Sequence, residues 1–378
     1  MKVTTNPVMK MQQLIPQSMS AVLLTGHGGY EKLEYRSDVP VPRPGPGEVL
    51  IRIGAAGINN TDINTRIGWY SKSVVTATVA GAAGGFAEVD ERDGSWSGMA
   101  LGFPRIQGAD CCGRIVAVGT DVDARRIADR VLVRSIQTST TEAPDFICRT
   151  YGSECDGGFA QFACARSDDA LSIDSQLSDI ELASFPCAYS TAEGMLERAG
   201  VGAETILITG ASGGVGSAAI QLAKRRGAFV IAIAAPAKAA DVRRIGADRV
   251  IARDSDLLAE LGRNSVNVVV DLVAGPQWPP LLEVLKRGGR YVTAGAIAGP
   301  LVELDVRTLY LKDLSFFGCT FQAQGIFENL IGYIERGEVI PVVSKTYALK
   351  DIVTAQQDFI AKKHTGKLVL VPSGGDLE

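Results

Sequence analysis

Between residues 20 and 165, apolar positions come in short runs cut by Gly and Pro every few residues. Glu48-Val-Leu-Ile-Arg-Ile-Gly54, Gly113-Arg-Ile-Val-Ala-Val-Gly119 and Arg130-Val-Leu-Val-Arg134 read as strands. The stretch Val39-Pro-Val-Pro-Arg-Pro-Gly-Pro-Gly47 cannot continue a helix, because Pro lacks an N–H and restricts the residue before it. Short strands at this density predict an irregular β domain. From about residue 179 the pattern changes. Thr205-Ile-Leu-Ile-Thr209, Phe229-Val-Ile-Ala-Ile-Ala234, Val266-Asn-Val-Val-Val-Asp271 and Gly289-Arg-Tyr-Val-Thr293 are almost continuously apolar, as strands covered on both faces are. Helical stretches over residues 216–226 and 238–245 lie between them, and Ser178-Asp-Ile-Glu181 has capping-box spacing. The alternation predicts an α/β fold with a doubly wound parallel sheet and right-handed crossovers. Strand character returns after Val339 and ends in Lys367-Leu-Val-Leu-Val371.

Three segments stand outside this pattern. Residues 1–20 carry Lys2 and Lys10 but no continuous apolar stretch, and read as a loose extension or an upstream start rather than a secretion signal. The tail 372–378 reads as frayed. Residues 71–102, rich in Ala, Gly and Ser with the acidic run Glu88-Val-Asp-Glu-Arg-Asp93, read as a solvated loop with one short helix, or else as a lid or partner-binding insertion.

Composition narrows the class. The 378 residues suggest two domains, and the 46% apolar fraction suffices for sizeable cores. With 38 Lys and Arg scattered against 42 Asp and Glu, no nucleic-acid partner is expected, and no apolar run is long enough for a bilayer. Seven widely spread cysteines are no disulfide framework and suit a reducing cytoplasm. Only two histidines, His27 and His364, limit His-based catalysis and His-rich metal sites. His27 lies in a Gly-rich turn.

The strongest motif is Thr209-Gly-Ala-Ser-Gly-Gly-Val-Gly216, which follows a strand and opens a helix. Ala211, Gly213 and Gly216 give an A-x-G-x-x-G dinucleotide fingerprint, with Ser212, Gly214 and Val215 within it. Gly213 lets the backbone approach a pyrophosphate, Gly216 lets helix and strand pack closely, and the helix N-terminus supplies free N–H donors. At the end of the next strand, Ala234-Ala-Pro-Ala-Lys238 has no carboxylate for a ribose 2′-hydroxyl, and Lys238 and Arg253 can pair with a 2′-phosphate. NADP(H) is therefore the expected cofactor. Gly295, beyond the fourth strand, joins the expected set. His364 and Lys367 either contact cofactor phosphate or form a basic surface patch.

Pro44-Gly-Pro-Gly-Glu-Val-Leu50, Ala56-Gly-Ile-Asn-Asn-Thr-Asp62, Gly108-Ala-Asp-Cys-Cys-Gly113, Ala128-Asp-Arg-Val131, Gly157-Gly-Phe-Ala160, the fingerprint and Gly366-Lys367 occur in one order. In that order the chain resembles the medium-chain dehydrogenase/reductase superfamily over residues 20–372. The resemblance implies a GroES-like catalytic domain (residues 20–180 and 326–372, with the 71–102 insertion) around a Rossmann domain (residues 181–325). It also implies an active-site cleft between them. Zinc-dependent alcohol dehydrogenases of this superfamily carry Cys, His and Cys ligands where this chain has Asn59, Ala109 and Cys187. Asn and Ala cannot replace a thiolate and an imidazole on Zn²⁺, and no four-cysteine cluster for a structural zinc is present.

The resemblance is instead to the zinc-free branch of quinone oxidoreductases and enoyl thioester reductases, through Asn59-Asn-Thr-Asp-Ile-Asn-Thr-Arg-Ile-Gly-Trp-Tyr70. It implies that Asn59 and Asp62 line the nicotinamide pocket and that Tyr70 donates a proton. Thr61 stands at a proton-relay position. Some quinone reductases carry their Tyr where this chain has Asn64. Each residue also has a plainer reading: Tyr70 as a packed aromatic beside Trp69, Asp62 as a helix cap, Cys187 as a small buried side chain.

The expected activity is NADPH-dependent reduction of a quinone or α,β-unsaturated carbonyl by a cytoplasmic enzyme. Alcohol dehydrogenation, with or without zinc, and NADPH binding without turnover are the alternatives, separable by NADPH oxidation against an acceptor panel and by alcohol-dependent NADP⁺ reduction. Residues 307–321, strongly apolar at Leu309-Tyr-Leu311 and Leu314-Ser-Phe-Phe317, form a candidate homodimer edge or else intramolecular core.

Overall fold

A computed structural model describes residues 15–138 and 148–374 of the chain. The N-terminal extension therefore falls mostly outside the described residues, as does the end of the C-terminal tail.

Six strands form one parallel sheet in the spatial order Arg249–Ala252, Phe229–Ala234, Thr205–Ile208, Val266–Asp271, Leu285–Thr293, Ser315–Gly318. In chain order this is 3-2-1-4-5-6, the doubly wound arrangement of dinucleotide-binding folds. The strands lack polar alternation because both faces are covered. Ile206, Ile208, Val268 and Val270 pack with side chains of the helices Pro186–Arg198, Gly214–Arg225 and Gln324–Glu335. Leu207 and Val269 face the helix Trp278–Val284 on the other side. Each such fully buried aliphatic side chain contributes about 1.5–3 kcal/mol. The capping box before the first of these helices forms: Ser178 N–H donates to Glu181 Oε2 at 2.8 Å, and Glu181 N–H to Ser178 Oγ at 3.3 Å. The apolar 307–321 region is split. Its first part is the helix Val306–Leu311, and only Ser315–Gly318 is strand, at the sheet edge.

The other unit is built on Glu48–Gly57, which pairs with Cys112–Val118 and Phe162–Arg166. It also takes Lys367–Val371 from the C-terminus, with Val369 opposite Gly57 and Leu370 opposite Ala56. The chain thus leaves this sheet, builds the parallel one, and returns. That path sets Lys367, the first residue of the returning strand, against the junction between Glu48–Gly57 and the helix Asn60–Ile67.

Residues 71–102 contain the expected short helix, Thr78–Gly81, but are not a free loop. The guanidinium of Arg66, fully buried, donates to Ala82 O at 2.7 Å, Gly28 O at 2.9 Å and Gln356 Oε1 at 2.8 Å. Trp69 Nε1 donates to Thr76 O, Thr78 Oγ1 to Asn64 Oδ1, and Thr78 N–H crosses to Ile297 O on the parallel-sheet unit. Small polar residues hid this anchoring from the sequence, because the buried partners come from distant segments. The insertion forms a wall of the cleft.

Candidate active site

The turn after the first parallel strand places the N-terminus of Gly214–Arg225 at the cleft. Gly210 is left-handed, with φ 58°. A Cβ on Gly216 would lie 2.3 Å from Gly210 O and 2.6 Å from Ala211 Cα, so only glycine lets this helix approach the strand. Two cavities flank the turn. One, of 390 Å³, is lined by Ser212, Gly213, Gly214, Lys238, Arg253, Asp271, Lys362 and His364. The other, of 770 Å³, is lined by Asn59, Thr61, Tyr70, Trp96, Cys187, Val215, Gly216, Gly295, Lys362 and Lys367. Ala211 lines neither; it is fully buried behind the turn, so its part in the fingerprint is packing.

Cations crowd the smaller cavity. Lys238 Nζ donates to His364 O, and burial together with the neighbouring Arg253 lowers its pKa. Arg253 is largely exposed, 3.7 Å from Asp254. Lys362, which the sequence reading missed, stands over the Phe359 ring at 3.8 Å, within reach of the Lys238 charge. Its signal was the basic run Lys362-Lys363-His364 just before the returning strand. Burial, then Lys362 and Lys238, push His364 down to about 4, so it is neutral at pH 7. Lys238, Arg253 and Lys362 repel one another here, and an anion among them relieves that repulsion.

The larger cavity holds the expected catalytic segment, with different assignments. Tyr70 O–H donates to Thr61 Oγ1 at 3.1 Å, and burial holds the phenol well above the usual tyrosine range. The structure brings these two hydroxyls together in the cavity wall. Asn59 and Lys367 both line this cavity and are tied into one buried network. The Lys367 ammonium, 2% exposed, spends its three protons on Ile58 O (2.9 Å), Asn59 Oδ1 (2.5 Å) and Asp110 Oδ2 (2.7 Å). It belongs to a buried ion pair with Asp110. The Asn59 amide is fixed by the same network, donating to Asp110 Oδ2 at 2.7 Å. Asp110, fully buried, also accepts from Cys187 N–H at 2.6 Å.

Asp62 does not line this cavity and takes the second of its two readings, the helix cap. Its carboxylate caps the helix Asn60–Ile67, accepting from Asn59 N–H at 2.7 Å and Ala109 N–H at 3.3 Å. Burial first, then the Asp110 charge, push its carboxyl up to about 7. An acid raised in the fold is protonated more readily there than in the unfolded chain. Its contribution to stability is therefore complete below its ordinary value of 3.8 and is lost as pH rises toward 7. Asp62→Asn, whose amide oxygen still accepts the cap bond, should flatten the fall in melting temperature over that window.

The positions that carry zinc ligands in zinc-dependent relatives do not form a ligand set here. They hold the Asn59 amide, the Ala109 methyl and the Cys187 thiol, which burial keeps protonated well above the ordinary thiol range, with the Lys367 ammonium among them. Neither the Asn59 amide nor the Ala109 methyl can stand in for a thiolate or an imidazole on Zn²⁺. Among the described residues, no three His, Cys, Asp or Glu side chains are grouped to hold a metal ion.

Residues 45–175 match the alcohol dehydrogenase GroES-like domain family, and residues 214–336 match the zinc-binding dehydrogenase family. A solved structure of a candidate alcohol dehydrogenase from Sinorhizobium meliloti 1021 is 46% identical with a TM-score of 0.86, covering 97% of this chain and 99% of that one. The chain belongs to the medium-chain dehydrogenase/reductase superfamily. More distant relatives in this superfamily include the acryloyl-coenzyme A reductase of Metallosphaera sedula (28% identity, 93% of this chain and 99% of the relative). The quinone oxidoreductase of Mus musculus is also 28% identical, over 93% of this chain and 98% of its own length. The superfamily makes this chain an oxidoreductase built on the GroES-like and Rossmann folds the two sheets display. No helix among the described residues is long and apolar enough to cross a membrane.

Proposed function

We propose that the protein reduces a quinone or an α,β-unsaturated carbonyl with NADPH, without catalytic zinc. The observation that carries this reading is the Tyr70–Thr61 hydroxyl pair, set in the same cavity as the glycine turn and beside the Lys367 ammonium paired with Asp110. When bound, the nicotinamide supplies the hydride. Delocalisation in the acceptor carries the developing negative charge, so a Lewis acid as strong as Zn²⁺ is not needed. Tyr70 holds its proton at neutral pH and passes it, directly or through Thr61 Oγ1, to the reduced acceptor. Asn59 and Lys367 position the start of the helix that carries Thr61.

The fit for NADPH rests on the cations of the smaller cavity and on the absence of a carboxylate at the end of Phe229–Ala234. Hydrogen bonds to charged groups contribute about 1.5–3 kcal/mol. The Lys238→Ala, Arg253→Ala double variant should therefore raise KM for NADPH roughly 10- to 100-fold and leave KM for NADH nearly unchanged. Steady-state NADPH oxidation with quinones and enones tests the whole reading. Stoichiometric zinc in the purified protein, with activity lost on chelation, would overturn the zinc-free mechanism.

The likeness to a candidate alcohol dehydrogenase makes alcohol-dependent NADP⁺ reduction the second reading. A cytoplasmic location and a homodimer are part of the proposal. The dimer would form across the Ser315–Gly318 edge, where Tyr310, Leu311 and Phe316 are exposed.

A further inference from the structure

We propose that Trp96 is a specificity-determining residue which, with Tyr70, selects a flat conjugated ring, a quinone, as the acceptor; this rests on the reductase reading above. The Trp96 and Tyr70 rings meet edge to face, centroids 4.9 Å apart and planes at 69°, in the wall of the 770 Å³ cavity. Two rings at this angle form a corner. A planar ring lying on the face of one presents its edge to the other, so it satisfies both arrangements that aromatic quadrupoles favour. An acyclic enone or thioester offers no ring to the corner and gains only buried area there.

The corner is also rigid. Trp69 also packs edge to face on Tyr70 at 5.8 Å, and its indole N–H is held by Thr76 O. Trp96 sits in a closed turn, where Ser95 N–H donates to Met99 O and Gly98 N–H to Ser95 O, both at 3.1 Å. Ser97 N–H ties that turn to Glu154 Oε1 at 3.0 Å. A side chain already fixed loses little entropy when a ligand ring settles on it. Trp96 thereby gives the 71–102 insertion a role: it supplies the second ring of the corner that Tyr70 begins.

The test compares wild type with W96L and W96F, using naphthoquinone and methyl vinyl ketone as acceptors. It also measures, by calorimetry, the affinity for naphthol, a flat ring that cannot accept hydride. In W96L the naphthoquinone-to-methyl vinyl ketone ratio of kcat/KM should fall roughly tenfold, naphthol affinity should fall by a similar factor, and W96F should restore most of both. A ratio and a naphthol affinity within about twofold of wild type in W96L would overturn the proposal. If wild type turns over neither acceptor, the reductase reading falls, and the naphthol measurement still decides the role of Trp96.

Discussion

Replacing Lys367 by Met should destabilise the protein by ~3–5 kcal/mol, seen as a lower denaturation midpoint. Met keeps most of the stem that packs beside Gly214 but removes the charge. Asp110 then stays fully buried with only the Asn59 amide and the Cys187 N–H as donors. An uncompensated buried carboxylate is far costlier than a neutral pair, so the Asp110→Asn, Lys367→Met double variant should recover much of the loss. The same pair of variants measures what Lys367 does. A residue that serves only the buried network leaves the double variant with near wild-type NADPH affinity, whereas a phosphate ligand leaves it weak. The three hydrogen bonds already on Nζ favour the first outcome.

Tyr70→Phe should lower kcat by about 10²-fold, the lower end of what a positioned general acid contributes, with NADPH affinity little altered. The substitution removes one oxygen and leaves the ring's edge-to-face contacts with Trp69 and Trp96. Because burial holds the phenol well above its ordinary range, Tyr70 remains a donor throughout the neutral region and should add no step to the pH–rate profile there. A loss of less than about threefold, against the 10²-fold of a working acid, would mean that solvent supplies the proton and that Tyr70 serves as a wall.

Much of this architecture was legible because its signals are local. Continuous apolar runs marked the parallel strands, a Gly-rich turn between strand and helix marked the cofactor side, and the 178–181 box formed as written. Asp62 was legible in both its readings, and the structure gives it the cap. What failed were assignments that depend on which side chain reaches which partner. From the sequence Lys367 reads as a contact to cofactor phosphate or as part of a basic surface patch, and neither reading includes a buried network. Its true partners, Asn59 and Asp110, are 308 and 257 residues away.

The insertion fails in the same way. Nothing in its Ala, Gly and Ser composition tells that Arg66 and Ile297 will anchor it, or that Trp96 will meet Tyr70. By itself the sequence determined the two kinds of sheet, the nucleotide turn and the loss of two zinc-ligand residues, since periodicity, glycine and residue identity act at fixed local spacing. Only the tertiary structure decided where the buried charges pair and which rings line the pocket. Desolvation makes those choices: a charge taken out of water must find whatever partner the folded chain brings within about 3 Å.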